Sequence, residues 1–159
     1  MDKKNVDLFT SHSIYTVNEI NARYEIAQEH YAKVVNIEAL TALDMVNKYY
    51  LPAISKFSNF LIGSIANKKS IGLNAEYETN TASILADASN KIYEIKRDLE
   101  KSLVEKDKIT DCAKLSTYLK DNVLTKMEAL RTVIDEIELI VDKDYWPFVS
   151  YGDLLYSVK

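Results

Sequence analysis

Glu25, Glu29 and His30 come nearest to a catalytic or metal-binding set in this 159-residue chain. Glu25 and Glu29 are four residues apart, so a helix would place both carboxylates on one face. Hard cations want about six oxygen ligands, and two carboxylates with one imidazole fall short of that. The plainer reading is a solvated polar face. A di-iron bundle would need Glu-x-x-His pairs on facing helices, but Phe9 stands three before His12 and Ala27 three before His30. Cys112, close to a helix start, is the one candidate nucleophilic thiol. No base accompanies it, and a lone helical cysteine ordinarily packs as a small hydrophobe. Gly63, Gly72 and Gly152 are isolated, whereas phosphate loops need clustered glycines after a strand. No catalytic, cofactor-binding or metal-binding residue is assigned from these patterns.

The aromatic residues carry more information. There are 11 Tyr, 4 Phe and 1 Trp. Tyr24, Tyr31, Tyr49 and Tyr50 lie on or beside one apolar stripe. They fit either core packing with the hydroxyl at the wet edge or an interface, where Tyr is enriched. The stretch from Val141 to Tyr156 leaves a helical pattern and gathers Tyr145, Trp146, Pro147, Phe148 and Tyr151. Solvated tails are polar and poor in large rings, so these rings must bury against something. Trp146, Phe148 and Tyr151 are the expected anchors, on the chain's own bundle or on a partner, and Asp153 is placed to cap a final turn at Leu154-Leu155-Tyr156.

The elements that position these residues read as three long helices. Thr16-Val17-Asn18-Glu19 has the form of a capping box. Apolar residues then recur at threes and fours from Ile20 to Leu61, the helical period. Pro52 removes an amide and clashes with the carbonyl of Lys48, which predicts a kink or short break near Tyr49–Leu51. Lys68-Lys69 followed by Gly72 reads as a stop. The second helix is expected from Asn74, as N-cap, to about Lys106, with the stripe Leu85, Ala88, Ile92, Ile95, Leu99, Leu103. The third is expected from about Thr110 to about Lys143, with the stripe Leu115, Leu119, Val123, Met127, Leu130, Ile134, Ile137, Val141. Short connections make neighbouring helices antiparallel. The fold class is therefore all-α: an antiparallel bundle of three long helices over residues 16–143, an irregular segment at 1–15 and an irregular aromatic tail at 144–159. The first helix, kinked near Pro52, would overhang its partners. The bundle is expected to fold from Leu51 onward, leaving Thr16–Asp44 to pack elsewhere.

Bulk properties exclude several classes. Scarce Gly (3) and Pro (2) disfavour hairpin-rich β architecture. A net charge of −4 offers no basic face for nucleic acid. A single Cys suits a reducing cytoplasm, and the longest apolar run, around Phe60-Leu61-Ile62, is far too short to span a membrane. No signal peptide is read at the N-terminus.

Two strings then stand out. Asp142-Lys143-Asp144-Tyr145-Trp146-Pro147-Phe148, followed by Tyr151-Gly152-Asp153-Leu154-Leu155, resembles the C-terminal end of type III glutamine synthetases, with Val149 where that family usually has Pro and Tyr156 where it has Phe. Ala22-Arg23-Tyr24-Glu25-Ile26, then Asn36-Ile37-Glu38-Ala39-Leu40-Thr41 and Leu51-Pro52-Ala53, is similar to a second pattern of the same family. A weaker match surrounds Val123 to Leu139, and Ile71–Asp107 matches nothing quotable. The resemblance implies a C-terminal helical structural or assembly domain. ATP and Mg or Mn would be bound in a catalytic domain lying outside this chain, where ammonia is joined to glutamate. The implied partners are that catalytic domain and neighbouring subunits of a ring-shaped homo-oligomer. Tyr24, Tyr31, Tyr50, Pro52 and the tail residues Trp146, Pro147, Phe148, Tyr151 and Asp153 would serve packing and interfaces, and the chain alone would be inactive. An independent helical interaction or scaffold module is the alternative from a different class.

Overall fold

The computed structural model describes residues 2–149 and 151–156, Tyr151 by its backbone only. Among these residues every regular element is helical. Helix α1 spans Lys3–Ser11, where an irregular segment was expected. The Asp2 carboxylate accepts from the Lys4 amide and caps it, so one short polar side chain suffices to start the turn. Ser13, at φ 53°, sits in the left-handed region and reverses the chain.

Helix α2, Val17–Met45, opens on the predicted capping box: Thr16 Oγ1 accepts the Glu19 amide, and the Glu19 carboxylate accepts the Thr16 amide. The chain stays helical from there to Ser70. A π-turn at Val46–Tyr50 joins α2 to α3, Leu51–Ser70, with the Leu51 amide donating to the Val46 carbonyl. The expected break ahead of Pro52 is thus a widened turn. Pro52 cannot supply the amide that an α-turn requires there, and the extra residue per turn absorbs the mismatch. α3 ends as the sequence indicates. Gly72 has φ 77°, its amide donates to Lys69 O, and the Leu73 amide donates to Lys68 O at 2.9 Å.

Helix α4 covers Glu76–Lys106. Asn74 does not cap it. Ala75 occupies the cap position and is itself buried, so apolar burial outweighs the capping preference. The third helical run comprises α5 (Cys112–Tyr118), a π-turn (Leu119–Leu124) and α6 (Thr125–Glu138), ending some residues short of Lys143. This π-turn explains the stripe's spacing. Leu115, Leu119, Val123 and Met127 are separated by fours, and each step of four advances the stripe about 40° around an α-helix. A turn holding one extra residue restores the register, so Leu119 and Val123 are both fully buried.

Two core clusters define the packing. One joins Ile54, Phe57 and Leu61 of α3, Leu85 and Ile92 from the first turns to the middle of α4, and Leu130, Ile134 and Ile137 of α6. The other joins Val35, Ala39 and Leu43 of α2, Leu99 and Leu103 near the end of α4, and Leu119 and Val123. The order of these residues makes α4 antiparallel to both neighbouring runs. It also corrects the expected boundary: residues 31–43 are part of the bundle, and only the first turns of α2 extend beyond it. Pro52 does not divide the chain here, because the π-turn carries the helix from α2 into α3.

At the α3–α4 turn, the Lys68 ammonium bonds the largely buried Glu78 carboxylate. This hydrogen bond, with help from the Glu78 backbone amide, holds the carboxyl below the usual range. A lowered carboxyl pKa stabilises the fold above the unfolded value of about 4.3, and the contribution is lost as pH falls through the folded value. Urea midpoints measured from pH 7 down to pH 3 should therefore fall, and Glu78→Gln should flatten part of that decline.

Candidate interaction surface

The aromatic tail returns to the bundle through a side-chain turn. After α6, the Asp142 carboxylate accepts the Asp144 amide at 2.8 Å, and its carbonyl accepts the amides of Tyr145 and Trp146 at 2.9 and 3.1 Å. An Asx-turn of this kind reverses direction without glycine. It sets Tyr145 and Trp146 against the first core cluster. Tyr50, on the π-turn, is the hub: its ring centroid lies 5.5 Å from Trp146 and 5.0 Å from Phe148, and Tyr49 lies 5.7 Å from Phe148. Tyr145 packs on Phe57 and Phe60 at 5.4 and 6.0 Å. These separations suit tilted ring pairs. Burial, then the nearby Glu138 and Asp135 carboxylates, push the Tyr50 hydroxyl's pKa up.

The other predicted packing residues are placed less uniformly. Tyr31 packs on the second cluster, and Tyr24 and Pro52 are half-buried. Pro147 is exposed. The side chain of Tyr151 lies outside the described residues. Asp153 does not cap a turn at Leu154. It lies inside a short helix α7, Tyr151–Leu155, and its carboxylate meets Lys143 Nζ at 2.5 Å, which raises the lysine's pKa.

A second surface lies on the helix that the sequence assigns to packing outside the bundle. Along α2, Ile26, Ile37 and Leu40 are 67%, 62% and 52% exposed. Ile26 and Ile37 are eleven residues apart, about three helical turns, so they share the face opposite Val35 and Ala39. Arg23 lies 4.6 Å over the Tyr15 ring, which packs on Phe9 at 5.8 Å and so ties α1 to α2. Charged and polar residues, among them Arg23, His30 and Lys33, share this outer face with the three aliphatic side chains.

Glu25, Glu29 and His30 are exposed on α2, and among the described residues no three His, Cys, Asp or Glu side chains converge to hold a metal. Cys112, half-buried, is the first residue of α5. No described helix is long and apolar enough to cross a membrane.

Residues 1–69 match the family described as the glutamine synthetase C-terminal domain. The chain is 30% identical to a glutamine synthetase of Butyrivibrio fibrisolvens over 98% of its own length and 23% of the relative's. It is 27% identical to the type-3 glutamine synthetase of Dictyostelium discoideum, covering 97% of this chain and 22% of that one. A glutamine synthetase of Bacteroides fragilis (strain YCH46) is 27% identical over 91% of this chain and 21% of its own length. The chain therefore spans less than a quarter of the relatives it matches.

Proposed function

We propose that this chain, whose residues 1–69 match the glutamine synthetase C-terminal domain family, is a helical assembly element of a larger type-3 enzyme, seated on the rest of that enzyme through the outer face of α2. The observation that carries the reading is the outward row Ile26, Ile37 and Leu40, more than half exposed within the family-matched segment. Large aliphatic side chains on an outer face are costly to leave in water, at about 25 cal/mol per Å² of apolar surface, and covering them against a partner recovers that cost.

In this reading the bundle keeps its own two cores and lends its surface to subunit packing in a ring-shaped homo-oligomer in the cytoplasm. ATP and its Mg or Mn belong to the remainder of the enzyme. In this reading no step of the ligation is routed through this chain. The pure chain, supplied with ATP, Mg or Mn, glutamate and ammonia, should form no glutamine. Turnover dependent on all of these would refute the structural role and put catalysis in the bundle.

A further inference from the structure

Between the two π-turns lies a cleft of 410 Å³ that the assembly role does not use. Its floor is Ala42, Met45, Leu124, Met127, Leu130 and Ile134, and Tyr50, Glu128, Arg131 and Asp135 stand at its mouth. The two π-turns flank it in sequence and space: Met45 and Tyr50 bracket the first, and Leu124 ends the second. Widened turns of this kind recur at functional sites because they displace side chains from close helix packing. The volume and the apolar floor with few polar groups fit a small-molecule site.

The charge at the mouth selects the ligand class. Arg131 is the one cation among the lining residues, and its Nε is already directed to Asp135 at 3.4 Å. Glu128 stands on the same rim. Glu128 and Asp135 against the one Arg131 guanidinium leave the lining net negative. Two methionines on the floor adapt to an irregular apolar body.

We propose that this cleft binds a small amphiphilic cation, its apolar body against Met45, Met127 and Ile134 and its ammonium at the Glu128–Asp135 mouth. Tyr50 lines the cleft and its ring centroid lies 5.5 Å from that of Trp146, the chain's single Trp, so occupancy has a built-in optical reporter.

The test titrates the pure chain with three near-isosteric probes, 3-phenylpropylammonium, 3-phenylpropanol and 3-phenylpropionate, reading Trp146 emission and confirming by calorimetry. The ammonium should saturate, binding about tenfold or more tighter than the carboxylate, with the alcohol between them; tenfold is the scale of one modest charge interaction. Glu128→Gln with Asp135→Asn, both exposed positions, should erase most of that preference while leaving alcohol binding intact. Ala42→Phe, filling the floor, should abolish binding of all three, with circular dichroism verifying the fold. No saturation by any probe, a carboxylate bound as tightly as the ammonium, or a preference unmoved by the double substitution would each overturn the proposal. None of these outcomes bears on whether α2 seats on a larger enzyme.

Discussion

Ala39→Asp should cost about 3 kcal/mol or more, while Leu40→Asp, one residue along, should change stability by no more than about 0.5 kcal/mol. Ala39 has no exposed surface, and it packs in the second cluster with Val35, Leu43, Leu99 and Leu119. A carboxylate there has neither room nor water. It must overpack the cluster and desolvate a charge or take up a proton, and each of these is costly. Leu40 points outward and is 52% exposed, so a charge there stays hydrated. Urea unfolding of the three proteins measures both numbers. The contrast also tests the corrected boundary of the bundle. Were α2 only an outrigger, with folding confined to Leu51 onward, the two substitutions would behave alike.

The second large effect concerns the tail. Trp146→Ala should destabilise the chain by about 2–3 kcal/mol, somewhat below the 3–5 typical of a fully buried ring, because Trp146 is half-buried. The loss comes from its packing on the first cluster and on the rings of Tyr50 and Phe148. Val149→Ala, at an exposed neighbour, should stay within about 0.5 kcal/mol. Trp146→Phe should cost less than Trp146→Ala. It keeps a ring and removes an indole N–H that is buried without an acceptor among the described residues, an arrangement that itself costs stability. Equal, negligible effects of all three would mean that the tail contributes nothing to its own bundle.

Much of this was legible because helical periodicity survives in the residue types. The stripes of α4 and α6, the Thr16 capping box and the Gly72 stop all follow from local rules that tertiary contacts reinforce. What escaped had physical reasons. The π-turn at Leu119–Leu124 shows only as successive fours in an apolar stripe, a pattern that an ordinary helix with a broad apolar face also produces. Helix α1 is only nine residues long and buries none of them, and its start depends on one carboxylate, Asp2. Asn74 has the better capping side chain, yet Ala75 takes the position because it is buried. The tail's aromatics announced that they bury, but the Asx-turn at Asp142 decides where, since it sets Tyr145 and Trp146 back against α3. Sorting the apolar residues of α2 into inner and outer faces required knowing which neighbours occupy the inner one. Only then do Ile26, Ile37 and Leu40 stand out as surplus.

The most direct test of the assembly role replaces the matching region of the Butyrivibrio fibrisolvens relative with this chain and measures the mass of the product by light scattering, with and without Ile37→Asp and Leu40→Asp. The account predicts a discrete high-mass assembly for the unsubstituted graft and its collapse to smaller species with the two aspartates, while the same pair leaves the isolated bundle folded. Assemblies of identical mass with and without the aspartates would contradict it, and would mean that the outer face of α2 holds nothing together.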